Sequence, residues 1–149
     1  MNLRPMSEAD LPAVMLLERA LFPDDAWSEG MLRGELAEQP ATRFYVVAEA
    51  EPGDVVGYAG LCAIGEDADV QTIGVRADRE GLGIGAALLT ALLDEATARG
   101  CRSVYLEVRA DNERAQRLYE RFGFDRIGVR RKYYQPSGVD AIVMRRAHG

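Results

Sequence analysis

The chain has 149 residues, 48% of them hydrophobic, which suffices for one compact domain with a single core. Its 18 basic and 24 acidic residues give a net charge of −6, which argues against the clustered basic face of a nucleic-acid binder and fits an acidic, soluble exterior or a cationic partner. The N-terminal MNLRPMSEADLP shows no apolar run of signal-peptide length, and no segment approaches the roughly 20 apolar residues of a membrane helix. A cytoplasmic protein folding as one domain over residues 1–149 is therefore expected, with neither membrane nor nucleic acid as a direct partner.

In chain order, NLRPM (2–6) is a short apolar opening. Ser7 is placed to cap a helix over SEADLPAVMLLERALF, where Leu11, Val14, Leu17 and Leu21 recur at helical spacing. After the turn PDDAW, Ser28 is placed to cap a second short helix, SEGMLRGELAEQ. The period then changes: RFYVVAEA and VVGYAGLCAI are β-rich runs forming a hairpin around EPGD, and ADVQTIGV is a third such run. It leads through RADREGLG into the helix IGAALLTALLDEATARG, with Leu88, Leu89, Leu92, Leu93 and Ala96 on one face and Gly100 as its stop. CRSVYLEVR is another strand. Asp111 or Asn112 caps NERAQRLYERFG, whose Ala115, Leu118, Tyr119 and Phe122 form a stripe; FDRIGVRRKYYQ and VDAIVMRRA close the chain as a hairpin around PSG.

Cys62 and Cys101 lie in apolar stretches without CxxC spacing and read as buried thiols, and the lone His148 is next to last. A histidine triad and a zinc site of the usual His and Cys ligands are thereby removed, and no metal is expected. Gly81, Gly83 and Gly85 stand between a strand and a helix, inside a strand, helix, strand unit whose strands are expected to be parallel. The start of such a helix offers free N–H groups and the positive end of its dipole to a phosphate. The G-x-G-x-G spacing and the preceding hairpin exclude a dinucleotide fingerprint, and no Lys-Ser or Lys-Thr follows to make a Walker loop. By themselves the glycines read equally well as a turn or as a pyrophosphate cradle.

VQTIGVRADREGLGIGAALL followed by SVYLEVRADNERAQRLYERFGF resembles the acyl-coenzyme A binding core of the GNAT superfamily of N-acetyltransferases, over the C-terminal half of the chain. The resemblance implies an α/β fold, a mixed twisted sheet of about six to seven strands flanked by about four helices, with acetyl-CoA as cosubstrate. The family loop Q/R-x-x-G-x-G/A matches Glu80, Gly81, Leu82, Gly83, Ile84 and Gly85, whose backbone N–H groups would face the pyrophosphate. Glu80 stands where the family carries Gln or Arg; it is expected to turn outward, with Arg79 compensating. The resemblance also gives main-chain groups of Ile73 and Val75, and the side chain of Asn112, to the pantetheine arm. It places the arm where the parallel strands splay beside a bulge, a distortion that Gly74 suits.

RRKYYQPSGVDAIVM together with PDDAWSEGML narrows the resemblance to the RimI-type enzymes, which acetylate the N-terminal alanine of a small-subunit ribosomal protein. That implies a protein N-terminus as acceptor, bordered by Trp27, Ser28, Tyr133 and Tyr134; the residues alone also allow Trp27 as a helix staple and the tyrosines as a strand's surface pair.

Transfer of an acetyl group from a thioester to an amine needs a neutral amine, a donor for the developing oxyanion and a proton for the departing thiolate, but no covalent nucleophile. With a reference pKa of about 7.7–8.0, a peptide α-amino group is about a tenth neutral near pH 7, against less than about a thousandth for lysine. Glu107, in the middle of VYLEV, is the candidate base, although a strand glutamate can also face solvent. Tyr119 matches the family tyrosine that protonates the sulfur; the residues alone also allow a core aromatic. A small-molecule amine as acceptor, or a non-catalytic acyl-CoA-binding module, remains open at this point.

Overall fold

The computed structural model describes residues 1–147, so His148 lies outside the described residues. The elements are β1 (Asn2–Pro5), α1 (Leu11–Leu21), α2 (Glu29–Leu36), β2 (Arg43–Glu49), β3 (Val55–Ile64), β4 (Asp67–Val75), α3 (Ile84–Ala98), β5 (Ser103–Arg109), α4 (Glu113–Arg121), β6 (Asp125–Arg130) and β7 (Ala141–Ala147). The seven strands form one sheet in the order β1, β2, β3, β4, β5, β7, β6, antiparallel except for β4 against β5. This is the mixed sheet with four α-helices that the sequence implied. Among the described residues, no helix is long and apolar enough to cross a membrane.

Strand alternation sends successive side chains to opposite faces, and two cores result. On one face Leu11, Val14 and Leu17 of α1 and Leu32 and Leu36 of α2 pack on Tyr45, Val47 and Tyr58. On the other, Leu88, Leu89, Leu92, Leu93 and Ala96 of α3 pack on Ala59, Leu61, Val104 and Leu106, each such leucine contributing about 1.5–3 kcal/mol by leaving water. Ser28 Oγ accepts from the Met31 N–H at 3.1 Å and Asn112 Oδ1 from the Ala115 N–H at 3.1 Å, so both serve as N-caps.

Four local features depart from the sequence reading. The apolar opening is an edge strand: β1 pairs with β2, and Arg4 holds it by bridging Asp10 at 2.6 Å and Glu49 at 2.9 Å. Ser7 heads a 3-10 turn over Glu8–Asp10, its N–H donating to Asp10 Oδ2 at 2.9 Å, and the α-helix starts only at Leu11. In the closing hairpin β6 ends at Arg130, because Lys132 takes left-handed backbone (φ 51°) and its N–H turns to Asp140 Oδ1, so Tyr133 and Tyr134 lie on a connection rather than a strand. The bulge in β4 sits at Gln71, which the ladder skips between Leu61↔Val70 and Gly60↔Thr72. Gly74 pairs regularly with Tyr58, and its role is close approach: a Cβ there would lie 2.7 Å from Tyr58 Oη.

Candidate active site

β4 and β5 pair only from Asp67↔Ser103 to Val70↔Leu106 and then separate. The separation opens the sheet, so that side chains from both faces reach one space. Val104, Leu106 and Val108 of β5 belong to the α3 side, whereas Glu107 and Arg109 alternate to the α1 side. Nevertheless Glu107 and Tyr119, from opposite faces, line the same slot of about 140 Å³, together with Glu18, Asp25, Trp27, Gln71, Arg109 and Tyr134. The slot adjoins a larger cleft of about 600 Å³ that runs to the glycine loop and is lined by Ile73, Val75, Glu80, Gly81, Gly83, Ile84 and Gly85. Asn112, Ile73 and Tyr119 border both spaces.

At the loop end, Gly81 and Gly83 hold φ of 80° and 83°, a conformation side-chain-bearing residues avoid. Gly83 caps α3, whose first helical bond is Ala87 N–H to Gly83 O at 3.0 Å, leaving the amides of Ile84, Gly85 and Ala86 without an intrahelical partner. Arg79, Arg114 and Arg121 line the same cleft. Free amides at a helix N-terminus, bare backbone above them and three guanidinium groups fit a polyphosphate. Glu80 is half-exposed on the rim of the cleft with Arg114 as its ion-pair partner at 3.7 Å, and Arg79, the expected compensating charge, lines the same cleft. Leu82, 66% exposed, lies outside the lining.

At the other end, Glu107 Oε1 accepts from Arg130 Nη1 at 2.9 Å, and Arg130 lies over the Tyr133 ring at 4.2 Å. A hydrogen bond to Glu107, then burial, raises the Tyr133 phenol above its ordinary value. Burial, then the charge of Glu107, pushes Tyr134 up to about 12. Burial also raises Tyr119, which therefore keeps its proton at neutral pH; its hydroxyl makes no hydrogen bond among the described residues, while its ring packs edge-on against Phe124. Asn112 spends Oδ1 on its cap, and its Nδ2 remains for the cavity. Trp27 and Tyr134 line the slot, whereas Ser28 and Tyr133 do not.

Three charged residues of the slot, Glu18, Asp25 and Arg109, went unnoticed in the sequence. Glu18, 2% exposed, accepts from Tyr58 Oη at 2.5 Å and from the Trp27 backbone N–H at 2.9 Å. Arg109 pairs with Asp111 at 3.0 Å and with Asp25, and its guanidinium lies 5.5 Å from the centre of the Tyr134 ring. Ser137 Oγ donates to Asp25 Oδ1 at 3.4 Å, so the 22–28 segment and the 131–140 connection meet at Asp25. The sequence held one usable signal, the i, i+2 spacing of Glu107 and Arg109 on one strand face. Nothing local marks Glu18, which looks like the polar side of an amphipathic helix.

Comparison with known proteins agrees with this fold. The chain is 43% identical to N-alpha-acetyltransferase RimI of Mycobacterium tuberculosis, over 97% of this chain and 90% of that protein. The crystal structure of the ribosomal-protein-S18-alanine N-acetyltransferase from Escherichia coli superposes with a TM-score of 0.83 at 31% identity, over 98% of this chain and 92% of that one. Ard1 from Thermoplasma volcanium superposes at 0.89 with 26% identity, over 98% and 96%. Residues 11–124 match the family model described as acetyltransferase (GNAT), and with a relative this similar along nearly its whole length, the chain belongs to the GNAT acetyltransferase family.

Proposed function

We propose that the protein transfers the acetyl group of acetyl-CoA directly to the α-amino group of a protein N-terminus, the N-terminal alanine of a small-subunit ribosomal protein being the favoured acceptor. The observation that carries this reading is the opening between β4 and β5, which brings Glu107 and Tyr119 from opposite sheet faces around one slot continuous with the glycine-loop cleft. The M. tuberculosis and E. coli relatives, named for N-terminal and alanine N-acetylation, support the choice of acceptor.

Bound acetyl-CoA supplies the thioester carbonyl and the leaving sulfur. The amides of Ile84, Gly85 and Ala86, with Gly81 and Gly83 clearing the approach, hold its pyrophosphate end; main-chain groups of Ile73 and Val75 and the Asn112 amide guide the arm towards the slot. Trp27 and Tyr134 wall the acceptor's first residue, Ser28 fixes the wall by capping α2, and Tyr133 orients Glu107. Glu107 takes the proton that the amine must lose, and Tyr119 Oη gives its own to the sulfur as the carbon–sulfur bond breaks. No covalent intermediate on the protein is needed. The slot is small enough to favour a small first residue.

Incubation with acetyl-CoA and a panel of peptides differing at residue one, read by mass, tests the reading. Acetylation at the α-amino group, fastest with alanine first, is expected; acetylation of lysine side chains or small amines in preference to every N-terminus overturns it.

A further inference from the structure

The slot holds more negative charge than its own cations match. Glu18, Asp25 and Glu107 line it against Arg109 alone. Asp25 has Arg109, and Glu107 has Arg130 from outside the lining. Glu18 has no ion pair among the described residues: both its oxygens accept from neutral groups, the Tyr58 hydroxyl and the Trp27 N–H. The groups packed around it are Tyr58 and Tyr45 from the sheet, Trp27 from the 22–28 segment, and, across the slot, Glu107, Arg109, Tyr119 and Tyr134. A buried carboxylate is ordinarily matched by a cation, because neutral donors recover only part of the lost hydration. A carboxylate offers about four acceptor positions, and protein donors occupy only two of them here, so acceptor capacity remains for a cation.

We propose that Glu18 binds the acceptor's α-ammonium: the counter-charge that the described residues do not provide is supplied by the substrate. The inference rests on the N-terminal-acceptor reading and adds a specificity-determining residue to it. The amine then enters in its abundant, charged form, is gripped by Glu18, and surrenders a proton to Glu107 only once in place. Acetylation turns the ammonium into a neutral amide that cannot satisfy Glu18, so the product is rejected by the group that selected the substrate.

The test uses the protein saturated with coenzyme A and two ligands, an alanine-first peptide and its des-amino analogue with hydrogen in place of the α-amino group. Their affinities are measured calorimetrically from about pH 6.5 to about pH 9, across the ordinary pKa of an α-amino group. The wild type is expected to prefer the amine at least about tenfold at the acid end, with the preference shrinking above about pH 8 as the ammonium deprotonates. Glu18→Gln, which keeps the size and hydrogen-bonding reach, is expected to lose the preference while binding the des-amino peptide as before. Equal weakening of both peptides overturns the proposal, since that is what a mere scaffold for Trp27 gives. Should Glu18→Gln fail to fold, the wild-type series decides alone: a preference that is absent or independent of pH overturns it. If the peptide panel shows no N-terminal acetylation, the acceptor reading itself fails; acetylation with an undiminished amine preference in Glu18→Gln fails this inference only.

Discussion

The glycine-loop cleft and the carboxylate-lined slot share Phe22, Ile73, Asn112, Ala115 and Tyr119, yet they are made of different material. The anion-binding end of the cleft is backbone from one continuous stretch between Arg79 and Ala86, while residues of α1, β4 and α4 supply its walls. The slot is built of side chains from α1, the 22–28 segment, β4, β5, α4 and the 131–140 connection, held by Arg109 and Glu18. A backbone site tolerates changes of side chain and depends on conformation. A side-chain site depends on convergence, so a single lost contact moves a reacting group.

The largest effect should come where the two regions meet. Tyr119→Phe keeps the ring against Phe124 and removes only the transferable proton, so kcat is expected to fall by roughly 10²–10⁴ while KM for acetyl-CoA stays nearly flat. Steady-state kinetics with both substrates varied decide it. A variant that turns over normally but melts earlier makes Tyr119 a core residue and breaks the idea of a shared reacting boundary.

Within the slot, Glu107→Gln is expected to lower kcat/KM by about 10² near neutral pH, the ordinary contribution of a positioned base. The sign of the pH effect follows from the amine: below its pKa of about 8 most of it must be deprotonated on the enzyme, and above that solvent has already done so. The deficit should therefore shrink as pH rises. A deficit constant from about pH 6.5 to about pH 9 assigns Glu107 to holding Arg130 and Tyr133 instead.

The same division between backbone and side chains governs what the sequence revealed. The loop end of the cleft was legible because its parts are contiguous: three glycines between a strand and the helix α3, whose leucine face over Leu88 to Ala96 marks it as a helix; Arg114 and Arg121, which reach the cleft from α4, were not. Of the slot, Glu107 was named from the chemistry and its strand, and Trp27 and Tyr134 through family resemblance, but Glu18, Asp25 and Arg109 were not. Their meaning arises from pairings 9 to 112 residues apart in the chain, such as Glu18 with Trp27 and with Tyr58, or Asp25 with Ser137. β1 escaped for a related reason, since four residues carry too little alternation and the strand is held by Arg4 reaching Glu49. The position of β7 between β5 and β6 is likewise a property of the assembled sheet that no local pattern encodes.

In the cleft, conformation is the lever. Gly83 has open space where a Cβ would project, so Gly83→Val meets no clash with protein; it strains a backbone at φ 83° and sets a branched side chain beside the free amides. Coenzyme A affinity by calorimetry is expected to fall at least tenfold, about 1.4 kcal/mol. Binding of the alanine-first peptide should hold steady if the two regions are independent. Unchanged coenzyme A affinity would remove the backbone cradle from the account.

The smallest effect is expected at Glu80, where the chain departs from the Gln or Arg of its family. A carboxylate beside a polyphosphate looks unfavourable, but Glu80 and Arg114 are both about half exposed and 3.7 Å apart, so each screens the other and water screens both. Glu80→Gln removes one negative charge and frees Arg114 to turn towards the anion. Coenzyme A affinity should be unchanged or rise by up to about fivefold, the worth of an exposed pair, and the gain should fade as salt shortens the screening length. The mirror change, Arg114→Gln, leaves Glu80 unscreened and should weaken affinity by a similar factor with the opposite salt trend. If Glu80→Gln instead weakens binding, the carboxylate holds the loop rather than merely bordering the cleft, and the loop end too depends on a side-chain contact.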